Sequence, residues 1–250
     1  TRTRMEHARG GEAARPRHTE KLIRFAPTAW AYSPPPSAPD IAARPTDAPI
    51  TFGSFNNFAK VSDTTLALWA RILHAVPSSR LVIKAHSLHQ PEIAGFVAGR
   101  LEKLSVSPDR VELLGRTADT ASHLALYHRM DVALDPFPYH GTTTTCEALW
   151  MGVPVVTLAG DRHASRVGAS LLTAAGHPEW IAHSKDEYVD LAVKLASSPG
   201  TLAAIRHSLR DALRHSPLLD HTAQARRFGD ALLDCWKSRC SGAAPSPPGV

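Results

Sequence analysis

The sequence predicts an α/β fold: a doubly wound parallel sheet, Rossmann-like in kind. Three observations lead there. From Ile50 onward, short apolar runs and longer stretches of helical periodicity alternate repeatedly. Apolar runs such as "VPVVTL" (Val153 to Leu158) are continuous rather than alternating, as in strands buried on both faces. Strict strand-then-helix order favours parallel pairing with right-handed crossovers. No repeat of roughly 20–50 residues is visible.

Taken in order, "ITFGSF" reads as the first strand of this sheet. "DTTLALWARILHAVP" follows with Leu66, Trp69, Ile72 and Leu73 on one helical face. "SRLVIKA" is a strand and "QPEIAGFVAGRLEKL" a helix with proline near its start. "DRVELLG" is a strand, and "DTASHLALYHRM" a helix capped by Asp or Thr. "DVALDPFPY" is a strand, and "TTCEALWMG" a helix closed by Gly152. "VPVVTLAG" is a strand, "ASRVGASLLTAAG" a helix closed by Gly176, and "EWIAH" a short strand. "KDEYVDLAVKLAS" is a helix opened by Ser184, and two more helices fall near 201–215 and 221–238. The core domain is expected over 49–240. Residues 1–48 are expected to be a disordered, proline-rich linker region in which Thr19 to Tyr32 is apolar enough to pack on something, and 241–250 a disordered tail.

Composition narrows the function. At 250 residues and 43% hydrophobic, the chain can bury a substantial core. A net charge of +5, with arginines and 14 histidines scattered, gives no stripe for nucleic acid. No apolar run approaches a membrane span, and the start of the chain has no apolar signal-peptide core. The three cysteines have no metal-ligand spacing and suggest a reducing, cytoplasmic setting.

The chemistry concentrates in loops that follow strands. In a doubly wound sheet, ligands bind beyond the carboxyl ends of the strands. "YHGTTTTCEALW" sits at such an end. Its helix start offers free N–H groups and a favourable dipole for an anion, and Thr142, Thr143 and Thr144 add hydroxyls. Gly141 allows close backbone approach. These features suit a diphosphate. The local alternative is a capping box, with Thr144 as N-cap and Glu147 three residues on. After the first strand, "FGSFNNFAKVS" supplies the amides of Asn56 and Asn57 and a cation, Lys60, suited to charge developing on a leaving group. Lys60 also fits a solvated turn lysine. "GRTADTASH" brings His123, which could stack on a base, and "GDRHASR" brings His163, Ser165 and Arg166.

"FGSFNNFAKVSDTTLALWARILHAVPSSRLVIKA", "GTTTTCEALWMGVP" and "HASRVGAS" resemble the catalytic region of the O-linked N-acetylglucosamine transferase family, the tetratricopeptide-linked glycosyltransferases that include the SPINDLY-like proteins, bacterial members above all. The resemblance covers roughly Thr19 to Trp236. It implies the C-terminal, donor-binding half of a GT-B fold. By position it implies Asn57 on the donor, Lys60 on the diphosphate with a catalytic role, Ala118, Asp119 and Thr120 at the uracil, and His123 packing on that ring. Thr142, Thr143 and Thr144 would form the diphosphate-binding helix start, and Glu147 would meet the ribose. Animal members carry lysine, arginine and histidine where Thr120, Leu126 and Thr142 stand here.

The resulting expectation is an inverting, UDP-sugar-dependent glycosyltransferase moving N-acetylglucosamine to Ser/Thr of an acceptor protein, without a metal or other cofactor. The resemblance also implies partners: an N-terminal catalytic half and tetratricopeptide repeats, with no counterpart in residues 1–48, so that the isolated chain is expected to be inactive. A non-catalytic nucleotide-sugar-binding module, a gene fragment, or a nucleotide-sugar epimerase would use the same half-fold. Neither nucleic acid nor membrane is expected as a partner.

Overall fold

The computed structural model describes residues 3–7, 21–44 and 48–241. Its centre is a six-stranded, all-parallel sheet. A short strand pair comes first in the chain: β1 (Thr3–His7) and β2 (Lys21–Phe25), parallel to each other. The main sheet comprises β3 (Thr51–Ser54), β4 (Arg80–Lys84), β5 (Val111–Leu114), β6 (Val132–Leu134), β7 (Val155–Leu158) and β8 (Ile181–Ala182). Its order is β5-β4-β3-β6-β7-β8. That is the Rossmann order, with the direction of winding reversing between β3 and β6.

The helices are α1 (Asp63–Ala75), α2 (Pro91–Glu102), α3 (Thr120–Ala125), α4 (Thr143–Trp150), α5 (Val167–Ala174), α6 (Lys185–Ala196), α7 (Pro199–Arg214) and α8 (His221–Cys240). Side chains alternate across each strand, so two cores form. Phe52, Leu81, Ile83, Val132, Leu134, Val156 and Leu158 meet α1, α2 and α6, with Trp69, Leu101 and Tyr188 buried among them. Val82, Ala133, Val155 and Ile181 meet α4, α5 and α7 on the other side. Every strand expected from Ile50 onward is present, and each expected helix lies within a few residues of its place. "DTASHLALYHRM" divides into α3 and a 3-10 turn over Leu126–Arg129.

The expectation for residues 1–48 needs correction where they are described. Thr3–His7 pair with Lys21–Phe25 rather than lying disordered. Phe25 is buried and stacks on Phe228 of α8. Tyr32 N–H donates to the Leu218 carbonyl (2.8 Å), and the Tyr32 carbonyl accepts from His221 Nε2 (2.9 Å). Further on, Arg210 holds the Pro39 carbonyl and Arg44 pairs with Asp131. Among its described residues the proline-rich stretch has no regular structure, but the buried aromatics before it and these hydrogen bonds and ion pair tie it to the domain. The expected disorder over 1–2, 8–20, 45–47 and 242–250 lies outside the described residues. Cys146, Cys235 and Cys240 are free thiols. No helix among the described residues is long and apolar enough to cross a membrane.

Two glycines close helices in the left-handed region: Gly152 (φ +76°) after α4 and Gly176 (φ +85°) after α5. Both should resist substitution, but unequally. At Gly176 an added Cβ meets open space, so Gly176→Ala should cost only the left-handed strain, about 1–2 kcal/mol. At Gly152 the same atom would lie 2.6 Å from the Arg206 carbonyl oxygen, a backbone atom of α7. Gly152→Ala should therefore lose clearly more stability in urea denaturation. Equal losses would mean that α7 moves freely against α4.

Candidate functional site

The polar residues gather where the sheet reverses. β3 and β6 are neighbours, so the loops beyond their carboxyl ends lie side by side, joined by a bridge between Val61 and Pro138. Lys60 arrives from the first loop. Its Nζ donates to the His140 carbonyl (2.9 Å) and lies 4.3 Å from the centre of the Tyr139 ring. Lys60 is half-buried, not the solvated turn lysine that its local sequence also allowed. Burial draws its ammonium below the usual lysine range, opposed by the Asp135 carboxylate.

The second loop is held from beneath. Asp135 Oδ1 accepts from the Gly141 N–H (2.7 Å) and Oδ2 from the Thr157 hydroxyl (2.7 Å). His140 is fully buried; its Nδ1 accepts from the Gly168 N–H (3.0 Å) while Nε2 donates to the Leu158 carbonyl (2.9 Å). Burial pushes the Asp135 carboxyl up, against the charges and donors around it. Ser62 and Thr65 hydroxyls both donate to the Phe137 carbonyl at 2.6 Å. Gly141 is needed here: a Cβ would lie 2.5 Å from Thr144 Oγ1 and 2.9 Å from Asn56 Oδ1.

The four threonines divide their work. Thr142 is the N-cap of α4 and makes no side-chain capping bond. Thr143 is exposed. Thr144 donates its hydroxyl to Asn56 Oδ1 (2.9 Å), joining the β3 loop to the α4 start. Thr145 is buried. The capping box does not form, because Glu147 turns away: its Oε2 accepts from Tyr127 OH and faces His123 Nε2, each at 3.1 Å. The first helical bond of α4 runs from Cys146 N–H to the Thr142 carbonyl. The N–H groups of Thr143, Thr144 and Thr145 precede it and lack intrahelical acceptors, as at any helix start.

Thus the structure brings Lys60, Thr142, Thr143, Thr144, His123 and Glu147 to one edge of the sheet. Two other expected residues serve their own backbone. Asn57 caps the 3-10 turn Phe58–Lys60 by accepting from the Ala59 N–H (3.1 Å). Asp119 caps α3 by accepting from the Ser122 N–H (2.7 Å), which holds its carboxyl below the usual range. Ala118, Asp119 and Thr120 are exposed at the same edge, beyond β5. Sequence reasoning missed Asp135, His140 and Lys84. Each follows a strand or ends one, a signal that was available; Lys84 closes β4 and lies 2.9 Å from His123 Nδ1. Among the described residues, no group of three or more His, Cys, Asp or Glu is placed to hold a metal ion.

The profile of glycosyl transferase family 41 matches residues 40–228. Two curated relatives, each named a probable UDP-N-acetylglucosamine–peptide N-acetylglucosaminyltransferase SPINDLY, are 41% identical (Petunia hybrida) and 43% identical (Arabidopsis thaliana) over 232 residues. Each alignment takes in 92% of this chain, which spans about a quarter of the length of these relatives, 25%. Among solved structures, a mutant O-GlcNAc transferase of Thermobaculum terrenum superposes with a TM-score of 0.88 at 36% identity, over 97% of this chain and 46% of that one.

The Thr143/Thr144 pair separates folding from any ligand role. Thr144→Val should lower the stability of the ligand-free protein by about 0.5–1.5 kcal/mol, the ordinary worth of one hydrogen bond. Thr143→Val should leave it unchanged. Thermal denaturation of the two variants checks this; the reverse order would place the structural hydroxyl at Thr143.

Proposed function

This chain belongs to glycosyl transferase family 41, with the Rossmann-like fold of the C-terminal half of a GT-B enzyme, and we propose that its crevice holds the UDP-sugar donor for transfer of N-acetylglucosamine to Ser/Thr of a protein. The observation that carries the reading is the meeting of Lys60 with the start of α4 at the point where the sheet reverses. A cation and an unsatisfied row of N–H groups there suit a diphosphate.

In this reading an acceptor hydroxyl attacks the anomeric carbon directly, and negative charge builds on the departing diphosphate. Lys60 neutralises that charge together with the N–H groups and hydroxyls of Thr142, Thr143 and Thr144, so no metal is invoked for that task. Charge on the leaving group grows in the transition state, so contacts that strengthen with it raise the rate rather than merely the affinity. The exposed segment Ala118 to Thr120 meets the base, His123 packs on it, Glu147 takes a ribose hydroxyl, and the Asn57 amide meets the donor. The acceptor, and the group that orients it, come from the opposite GT-B half. Free cysteines agree with a reducing, cytoplasmic setting.

Lys60→Ala tests the assignment in isothermal titration calorimetry with UDP. A charge-assisted hydrogen bond is worth about 1.5–3 kcal/mol, so affinity should fall roughly tenfold to hundredfold. Equal affinity for both proteins would remove Lys60 from the site. Binding of GDP in place of UDP would overturn the base assignment.

A further inference from the structure

We infer that Lys84 is a positioning residue: it holds His123 in a single tautomer, so that the imidazole meets a nucleotide base by its face alone. The inference deepens the donor-site reading and rests on it.

The chemistry follows from who can donate. Lys84 Nζ lies 2.9 Å from His123 Nδ1. An ammonium has donors and no acceptor, so Nδ1 must accept and carries no proton. The ring proton then sits on Nε2, which lies 3.1 Å from Glu147 Oε2 and donates to it. Glu147 Oε2 accepts a second bond, from Tyr127 OH at 3.1 Å. Donation therefore runs from Lys84 to His123 to Glu147, with Tyr127 closing the far end. A neutral ring separates a cation from an anion, and a second ring proton at Nδ1 would point at the ammonium.

Two consequences bear on recognition. Both ring nitrogens are engaged within the protein, so His123 has no in-plane group left for a base. Phe55 and Tyr127 lie against the ring, at 6.0 Å and 5.6 Å between centroids, and 19% of the side chain stays accessible. Only stacking remains available to it, and base selection passes to other groups. Glu147 has one oxygen doubly engaged, which leaves Oε1 for a sugar hydroxyl. Burial draws the Lys84 ammonium down while Glu147 holds it up, as expected of two charges that depend on each other.

The test is long-range 1H–15N correlation on protein labelled at histidine, with His123 assigned by its loss in His123→Ala, alongside UDP titration calorimetry. The wild type should show His123 as the Nε2–H tautomer at neutral pH. Lys84→Met should let Nδ1 take a proton as well, so that the Nε2–H tautomer is no longer the single form, and should weaken UDP about tenfold because the ring is no longer held ready to stack. Lys84→Arg, which keeps a donor, should retain the tautomer. An Nδ1–H or doubly protonated ring in the wild type would overturn the inference, even if Lys84→Met failed to fold. So would a Lys84→Met protein with unchanged tautomer and UDP affinity. If His123→Ala weakened UDP but Lys84→Met did not, only the role of Lys84 would fall. If His123→Ala bound UDP as the wild type does, the donor-site reading would fall with it.

Discussion

The buried carboxylate of Asp135 is the constraint on which the rest of the site depends. It stands at the end of β6 with 2% of its surface exposed, and its two oxygens take the Gly141 N–H and the Thr157 hydroxyl. Its own carbonyl accepts from Tyr188 OH (3.0 Å), which in turn accepts from Trp69 Nε1 (3.2 Å). One residue thus links β6, β7, α1 and α6 to the loop that leads into α4. A buried acid left unpaired would be costly, so these donors are obligatory partners. Because they come from different elements, they fix the loop in one place.

That fixed loop delivers two things to the crevice. It sets the position of the α4 N-terminus, and it presents the His140 carbonyl that receives Lys60. Asn56 and Thr144 make a second tie between the two loops. The cation and the helix start are therefore positioned before any ligand arrives, which is what electrostatic stabilisation of a developing charge requires. His123, Glu147 and Lys84 extend the same edge toward β4 and β5, where the base and ribose are proposed to lie.

Local patterns in the sequence carried most of the fold. Continuous apolar strands, periodic helices and the closing glycines Gly152 and Gly176 all report short-range rules, and all appear in place. The order of the strands was not legible, because the β3–β6 pairing joins residues some eighty positions apart and no local pattern records it. The same distance hid the site's internal partners. The capping-box pattern of Thr144 and Glu147 is locally sound, yet Asn56 takes the hydroxyl, and His123 with Tyr127 takes the carboxylate. Asn57 and Asp119 carry a second task that the sequence reading did not include: each caps the short helix or turn that follows it. The segment 33–44 reads as a loose linker because its prolines disfavour regular structure. Its anchors are distant in sequence: Tyr32, just before it, bonds Leu218 and His221, Pro39 is held by Arg210 of α7, and Arg44 pairs with Asp131 before β6.

The central claim is that a nucleoside diphosphate sits at the reversal of the sheet, on the first turn of α4. Backbone amide shifts on titration with UDP test it most directly. The amides of Gly141, Thr143, Thr144 and Thr145 should move most, with His123 and Lys60 following, and uridine without phosphates should leave the α4 amides still. The opposite edge of the sheet has its own cleft, lined by Arg80, Arg110, Glu112 and Arg129. Shifts concentrated there, with the α4 amides unmoved by UDP, would contradict the account.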